Sequence, residues 1–309
     1  MKGHRWTKDQ IPDLNGKVVI VTGANTGIGF QSAREFSRKG AETILACRNE
    51  TKAGKAVRKI QNEMPEAKVR YLYLDLGSLR SVQQFAENIR KQYSRLDVLL
   101  NNAGIILLPY RTTEDGFESH MGINHLGHFA LTGHLLDLIR RTDGARVINV
   151  SSLINSVGKM DFENLLFDGG KGFSRVRAYG RSKLANLLFT YELDRKFKKA
   201  DFNALAVAAH PGFSYTDLGR WRFFRSLRYI FFPIINLVTQ NPNMGALPSV
   251  RAAVDPEVRG GEFYGPDGRR ERKGSPVRVR SGEASYDAED ARKLWLLSEE
   301  ATGIKYLQV

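Results

Sequence analysis

The residues best suited to chemistry are Tyr179 and Lys183, in the run Tyr179-Gly180-Arg181-Ser182-Lys183. Residues four apart share a helix face, so the ammonium can sit near the phenol. A free phenol titrates near 10 and exchanges protons poorly at neutral pH, but a neighbouring cation stabilises phenolate and brings it toward the working range. A Tyr-x-x-x-Lys pair arises readily by chance, so its weight comes from its companions. Upstream, Val150-Ser151-Ser152 ends an apolar run. A serine hydroxyl there can hydrogen-bond the oxygen of a carbonyl or alcohol, although such a pair more commonly caps a helix or turn. Asn124 stands inside a helical pattern, where its amide competes for backbone hydrogen bonds. Holding a water that relays protons to Lys183 is one reason for it to be there; being an exposed polar residue is the other.

A second group of residues suits a dinucleotide. Thr22-Gly23-Ala24-Asn25-Thr26-Gly27-Ile28-Gly29 joins an apolar run to a helical pattern. Glycines at such a junction allow a tight turn, a close approach of backbone to pyrophosphate and close helix–strand packing, while the helix N-terminus offers N–H donors to the phosphates. A plain glycine turn is the competing explanation. At the end of the second apolar run, Ala46-Cys47-Arg48-Asn49 offers Arg48 where an NAD site places a carboxylate. An arginine suits a 2′-phosphate, so NADP(H) is expected over NAD(H). Asp75-Leu76 and Asn101-Asn102-Ala103-Gly104 follow two further runs, where open α/β sheets bind ligands, though these are also turn residues.

These groups need elements to position them. Short runs rich in Val, Ile and Leu occupy Lys17–Thr22, Glu42–Cys47, Lys68–Leu74, Leu96–Leu100, Arg146–Ser151 and Asn203–Ala209. Runs of this kind read as strands buried on both faces of a parallel sheet. Helical periodicity fills roughly 28–39, 50–63, 78–93, 114–141 and 177–199, with a last helix near 287–301. The alternation predicts an α/β fold: one doubly wound (Rossmann) domain across residues 1–309.

Composition narrows the function. The chain has 309 residues, 42% of them hydrophobic and 26% charged, enough for a sizeable core. Its one cysteine, Cys47, excludes an internal disulfide framework and a Cys-rich zinc site. No apolar run follows the basic N-terminal residues and none is long enough to span a bilayer, so a cytoplasmic protein is expected. The net charge of +14 invites a nucleic-acid reading, but no DNA- or RNA-binding motif accompanies it. Residues 171–230 hold 13 Lys+Arg against 4 Asp+Glu, placing most of the excess on the catalytic helix and the segment after it. Of the histidines, only His125 and His128 have metal-ligand spacing, and helix packing is the expected use for both; no metal is expected.

Taken in order, T-G-x-x-x-G-I-G, N-N-A-G, a mid-helix Asn, S-S and Y-x-x-x-K resemble the short-chain dehydrogenase/reductase family over about Leu14 to Tyr264. The resemblance implies a seven-stranded parallel sheet and a catalytic set of Asn124, Ser152, Tyr179 and Lys183, with Ser152 preferred to Ser151. It implies that Tyr179 exchanges a proton with substrate while hydride moves to or from nicotinamide, and that Lys183 also binds the nicotinamide ribose. It puts Asp75 beside the adenine. His210-Pro211-Gly212 and Thr216 are similar to the segment that closes over the carboxamide. Ala46-Cys47-Arg48, Asn124-His125-Leu126-Gly127-His128-Phe129 and Ser182-Lys183-Leu184-Ala185-Asn186 resemble the retinol dehydrogenase, WW-domain oxidoreductase and protochlorophyllide reductase branch. An N-terminal membrane helix like that of membrane-bound retinol dehydrogenases is not expected from this sequence, and the single cysteine argues against protochlorophyllide reduction.

Two segments depart from the plain pattern. Ser152 and Tyr179 are 27 residues apart, so Gly158–Arg177 is expected to form a loop beside the substrate mouth. Residues 220–238 alternate arginines with aromatics and then turn apolar, within a lid expected near 213–240. A lid, a homo-oligomer contact and a peripheral membrane surface are the roles open to it, and all suit a lipophilic substrate. Residues 266–309 form a C-terminal extension, with Gly268–Lys273 read as a solvated turn. The expected activity is NADP(H)-dependent interconversion of an alcohol and an aldehyde or ketone; a dinucleotide-binding regulator without catalysis is the alternative.

Overall fold

The computed structural model describes residues 5–213 and 240–306. The predicted lid, apart from its end residues 213 and 240, and the arginine-aromatic segment 220–238 lie outside the described residues, as does Thr216.

Among the described residues, eight strands form one sheet: β1 (Val18–Thr22), β2 (Glu42–Cys47), β3 (Val69–Tyr73), β4 (Val98–Asn101), β5 (Ala145–Val150), β6 (Ala204–Ala209), β7 (Phe263–Pro266) and β8 (Pro276–Val279). Their order is β3-β2-β1-β4-β5-β6-β7-β8. All pairings are parallel except the last, where β8 runs antiparallel to β7. The expected seven parallel strands are present, and the C-terminal extension adds an eighth that the sequence did not suggest. Edge strands tolerate proline because one side of the ladder needs no N–H, which suits Pro276 at the start of β8.

The central strands alternate their apolar side chains between two layers, as a pleat demands. Val19 and Val21 of β1 join one core with Phe30 and Phe36 of α1 (Gly27–Arg38), Ile60 of α2 (Glu50–Glu63) and Leu247. Val18 and Ile20 join the other with Phe85 of α3 (Leu79–Gln92), Phe129 and Phe189. Both faces are therefore covered, which explains the unbroken apolar character of β1.

The helical pattern at 114–141 is corrected in detail. Helix begins only at α4 (Ser119–Met121), passes through a π turn at Gly122–Leu126, and continues as α5 (Gly127–His134) and α6 (Leu136–Arg141). In the π turn the Gly127 N–H bonds the Gly122 carbonyl, five residues back. Such single wide turns cluster at functional sites, and this one carries Asn124. The long helix α7 (Arg175–Lys199) is capped by Ser174, whose hydroxyl accepts from the Arg177 N–H. Sequence reading missed α8 (Pro242–Val254) and placed α9 (Ala288–Thr302) to within a residue at each end. No helix among the described residues is long and apolar enough to cross a membrane.

Candidate active site

The carboxyl ends of the parallel strands open into one elongated cleft of about 610 Å³. Its walls bring together Gly23, Asn25, Thr26, Gly27, Ile28, Gly29, Arg48, Asp75, Leu76, Asn102, Ala103, Gly104, Ser152, Tyr179, Lys183 and Pro211. Gly212 is not among them: it turns away with φ +65°, and a Cβ there would strike the Arg272 carbonyl. The turn at 268–273 is accordingly not merely solvated, because Glu271 bonds the buried His210 Nε2 at 2.9 Å and the Arg272 carbonyl accepts the Phe213 N–H at 2.8 Å.

At the first strand end, Gly23 adopts φ +66° and packs against Ala103, while a Cβ on Gly29 would collide with Asn102 Nδ2 and lie 2.8 Å from the Gly23 carbonyl. This bare backbone, at the N-terminus of α1, is a surface that a pyrophosphate can approach closely. Thr22 and the β4 turn hold it in place: the Thr22 hydroxyl accepts the Asn102 and Ala103 N–H groups at 2.9 Å, and Asn102 Nδ2 donates to the Thr22 carbonyl at 2.8 Å.

The Arg48 end of the cleft differs from expectation in one respect. Arg48 and Asn49, rather than a carboxylate, directly follow β2, yet the fold brings Asp75 from the end of β3 to 3.5 Å from Arg48 Nη1. Both are partly exposed, and such a pair contributes at most about 1 kcal/mol. Lys52, which sequence reading passed over, also lines this end, one turn into α2 beyond the Asn49 cap. Its signal was its place in the first turn of the helix that follows Arg48 and the Asn49 cap. Cys47 lies on the floor, where burial pushes its thiol up to about 11 and keeps it protonated at neutral pH.

At the opposite end, Lys183 Nζ donates to the Val150 carbonyl at 2.9 Å and lies 5.9 Å from the Tyr179 ring centroid. Tyr179 is 7% exposed and faces the cleft. The two serines separate clearly. Ser151 is buried and spends its hydroxyl on the Lys183 carbonyl at 2.8 Å, whereas Ser152 accepts only a long 3.5 Å bond from the Ile154 N–H. Ser152 is therefore the serine whose hydroxyl is available to a ligand.

Asn124 does not line the cleft; it is fully buried behind it. Its Oδ1 accepts the Ile105 N–H at 2.8 Å, and its Nδ2 donates to the Ile105 carbonyl at 3.1 Å and Ser182 Oγ at 2.9 Å. The side chain clamps the strand β4 exit and is not an exposed polar residue. Its main-chain carbonyl accepts from His128 Nδ1 at 3.0 Å, which leaves His128 Nε2 to accept from the Thr22 hydroxyl at 2.9 Å. Among the described residues no group of three or more His, Cys, Asp or Glu is arranged to hold a metal. Replacing Asn124 with Ala strands the Ile105 groups, and should lower the unfolding free energy by about 2 kcal/mol. Chemical denaturation measures this, and an unchanged midpoint and slope would remove the clamp from the account.

The inserted residues before α7 do lie against that helix. They form short turns at Leu153–Val157, Phe162–Asn164 and Asp168–Gly170. Arg181, inside the Tyr-x-x-x-Lys run, anchors them: Nη1 donates to the Asn164 and Leu165 carbonyls at 2.6 and 2.9 Å, and the guanidinium stacks 4.0 Å over Phe167. Ile105, Ile106 and Ile123, also not anticipated, add apolar surface to the cleft.

Comparison with known proteins gives a consistent likeness. A family model described as short chain dehydrogenase matches residues 17–165. Human retinol dehydrogenase 13 is 40% identical over 297 residues, covering 94% of this chain and 86% of that protein. The WW domain-containing oxidoreductase of Danio rerio is 40% identical over 299 residues, covering 93% and 68%. Among solved structures, a protein from Mycobacterium paratuberculosis is 38% identical with a TM-score of 0.82, covering 98% of this chain and 100% of its own. A short chain dehydrogenase from Shigella flexneri 2a, solved with NADP, is 25% identical with a TM-score of 0.59, covering 82% and 98%.

Proposed function

Because the chain belongs to the short chain dehydrogenase family, we propose that it is an NADP(H)-dependent oxidoreductase interconverting an alcohol and an aldehyde or ketone on a lipophilic substrate. The observation that carries this reading is the single cleft with a bare glycine loop and Arg48 at one end and Ser152, Tyr179 and Lys183 at the other.

The glycine loop would hold the pyrophosphate, Asp75 and Leu76 the adenine side, Asn102, Ala103 and Gly104 the middle, and Lys183 and Pro211 the nicotinamide riboside. When bound, the dinucleotide supplies or accepts the hydride. In reduction, Tyr179 gives its phenolic proton to the carbonyl oxygen; in oxidation it takes that proton from the alcohol. Ser152 donates a hydrogen bond to the same oxygen, fixing it beside Tyr179. The Lys183 ammonium, oriented by the Val150 carbonyl, favours phenolate. Ile105 and Ile106 offer apolar contact on the substrate side, and the retinol dehydrogenases among the relatives are named for a lipophilic alcohol.

The NADP(H) preference rests on Arg48 and Lys52 at the adenosine end. A 2′-phosphate carries more charge than Asp75 and outcompetes it for an exposed guanidinium. Arg48→Asp should weaken NADPH binding about tenfold, the worth of one charge-assisted bond, with NADH affinity unchanged or improved. Fluorescence titration of both cofactors checks this, and an unchanged preference would remove Arg48 from the 2′-phosphate site.

A further inference from the structure

The cleft wall formed by Ile105 and Ile106 is held at two points, and only one of them is Asn124. Three residues on from Ile105, the Leu108 N–H donates to His120 Nε2 at 3.2 Å. An N–H donor there requires Nε2 to be unprotonated, so the ring hydrogen sits on Nδ1, which lies 2.7 Å from Glu118 Oε1. Glu118 is itself fixed: its carboxylate accepts the His120 and Met121 N–H groups at 2.9 and 3.0 Å, capping α4. Both side chains are completely buried. Between the two clamps, Leu107 sits at φ +49°. A residue with a Cβ adopts that left-handed conformation at a cost, and keeps it only where its surroundings impose it.

The same imidazole ties this wall to both neighbouring parts of the site. Its ring centroid lies 6.4 Å from that of Tyr179 and 6.3 Å from that of Phe173, in the segment inserted before the catalytic helix. Phe173 in turn meets Tyr110 edge-on at 5.3 Å, closing the loop after β4 onto that segment. None of these contacts touches the glycine loop or the adenosine end.

We infer that Glu118 and His120 are a positioning pair that shapes the substrate-facing wall of the cleft and so sets the fit of the lipophilic carbonyl compound, without acting on the dinucleotide. The inference rests on the function proposed above. Glu118 orients the ring and fixes its tautomer; His120 Nε2 holds Leu108; Leu107 stays left-handed; and Ile106 is presented to the substrate at a fixed place beside Tyr179.

The full chain with His120→Leu and with His120→Gln tests this. Leucine keeps apolar bulk but offers Leu108 no acceptor, whereas glutamine can place an amide oxygen near the position of Nε2. In His120→Leu the KM for decanal should rise about tenfold, the worth of one buried hydrogen bond, with kcat and the dissociation constant for NADPH within about threefold, and His120→Gln should recover most of the loss. An unchanged KM in His120→Leu, or a parallel loss of NADPH affinity, overturns the inference. Hydrogen exchange at the Leu108 amide provides a readout independent of turnover. Exchange at least about tenfold faster in His120→Leu and restored in His120→Gln supports the clamp; equal exchange in all three proteins overturns it. If the unmodified chain turns over no carbonyl compound, the proposed function fails, and the exchange pattern still decides the clamp.

Discussion

Replacing Tyr179 with Phe should lower kcat by about 10³-fold while leaving the dissociation constant for NADPH within about twofold. The substitution removes one oxygen and keeps the ring, whose buried face packs beside His120 and near Lys183, so the fold loses little. What disappears is the only phenol among the described residues that faces the cleft alongside Ser152. General acid–base catalysis contributes typically about 10²–10⁴-fold, and the other described side chains at that end do not replace the phenol: Lys183 is tied to the Val150 carbonyl, Ser151 to the Lys183 carbonyl, and the aliphatic hydroxyl of Ser152 is a far weaker acid than a phenol. Steady-state absorbance of the nicotinamide gives kcat and fluorescence titration gives the affinity. A variant retaining more than about a tenth of kcat would remove Tyr179 from the proton-transfer step.

Stability should fall by about 3–4 kcal/mol between pH 7 and pH 5, through two histidines buried as neutral rings. Burial depresses His125 to about 3, and His128 to about 4 with a further push from Lys183. Unfolded, each titrates near 6.5. Across the window from about 6.5 down to the folded values the unfolded chain binds more protons than the native one, so stability falls as pH falls. The contribution is complete above about pH 6.5 and is progressively lost as pH falls toward 4 and then 3. His128 has a second reason to stay neutral: its Nε2 accepts from Thr22, which holds the Asn102 and Ala103 amides. Urea unfolding at pH 7, 6 and 5 measures the slope. His128→Asn should flatten it by about half, and a native state equally stable at pH 5 and 7 would contradict both buried assignments.

Much of the framework was legible because it rests on local patterns. β1 and β2 needed only an uninterrupted apolar run, and α1 to α3 only periodicity with a recognisable start, as Ser78 shows by capping α3. The elements missed are those whose local sequence argues against them. α8 contains Pro242, Gly245 and Pro248, yet its first proline occupies a position that needs no N–H and its apolar face closes over α1. β7 and β8 are four residues each and carry Pro266 and Pro276, so only their pairing reveals them.

The candidate site divides in the same way. Tyr179, Lys183 and the glycine loop were readable because each is a short motif within one element and its flank. The partners were not. Asn124 finds Ile105 nineteen residues upstream, and Arg48 meets Asp75 27 positions downstream. Arg181 occupies a variable position of its motif, and only the folded insert shows that it gathers three backbone carbonyls. The basic excess noted at the outset is thus partly internal: Lys183 and Arg181 are both buried and bonded to backbone oxygen.

The most direct test mixes the full chain with stoichiometric NADPH and a lipophilic aldehyde, then follows nicotinamide absorbance and alcohol product together. NADPH should be consumed and alcohol appear one for one, NADP⁺ with the alcohol should run the reaction backward, and Tyr179→Phe should bind NADPH but consume none on the same timescale. Tight NADPH binding with no oxidation by any aldehyde or ketone, and no reduction of NADP⁺ by any alcohol, would contradict it.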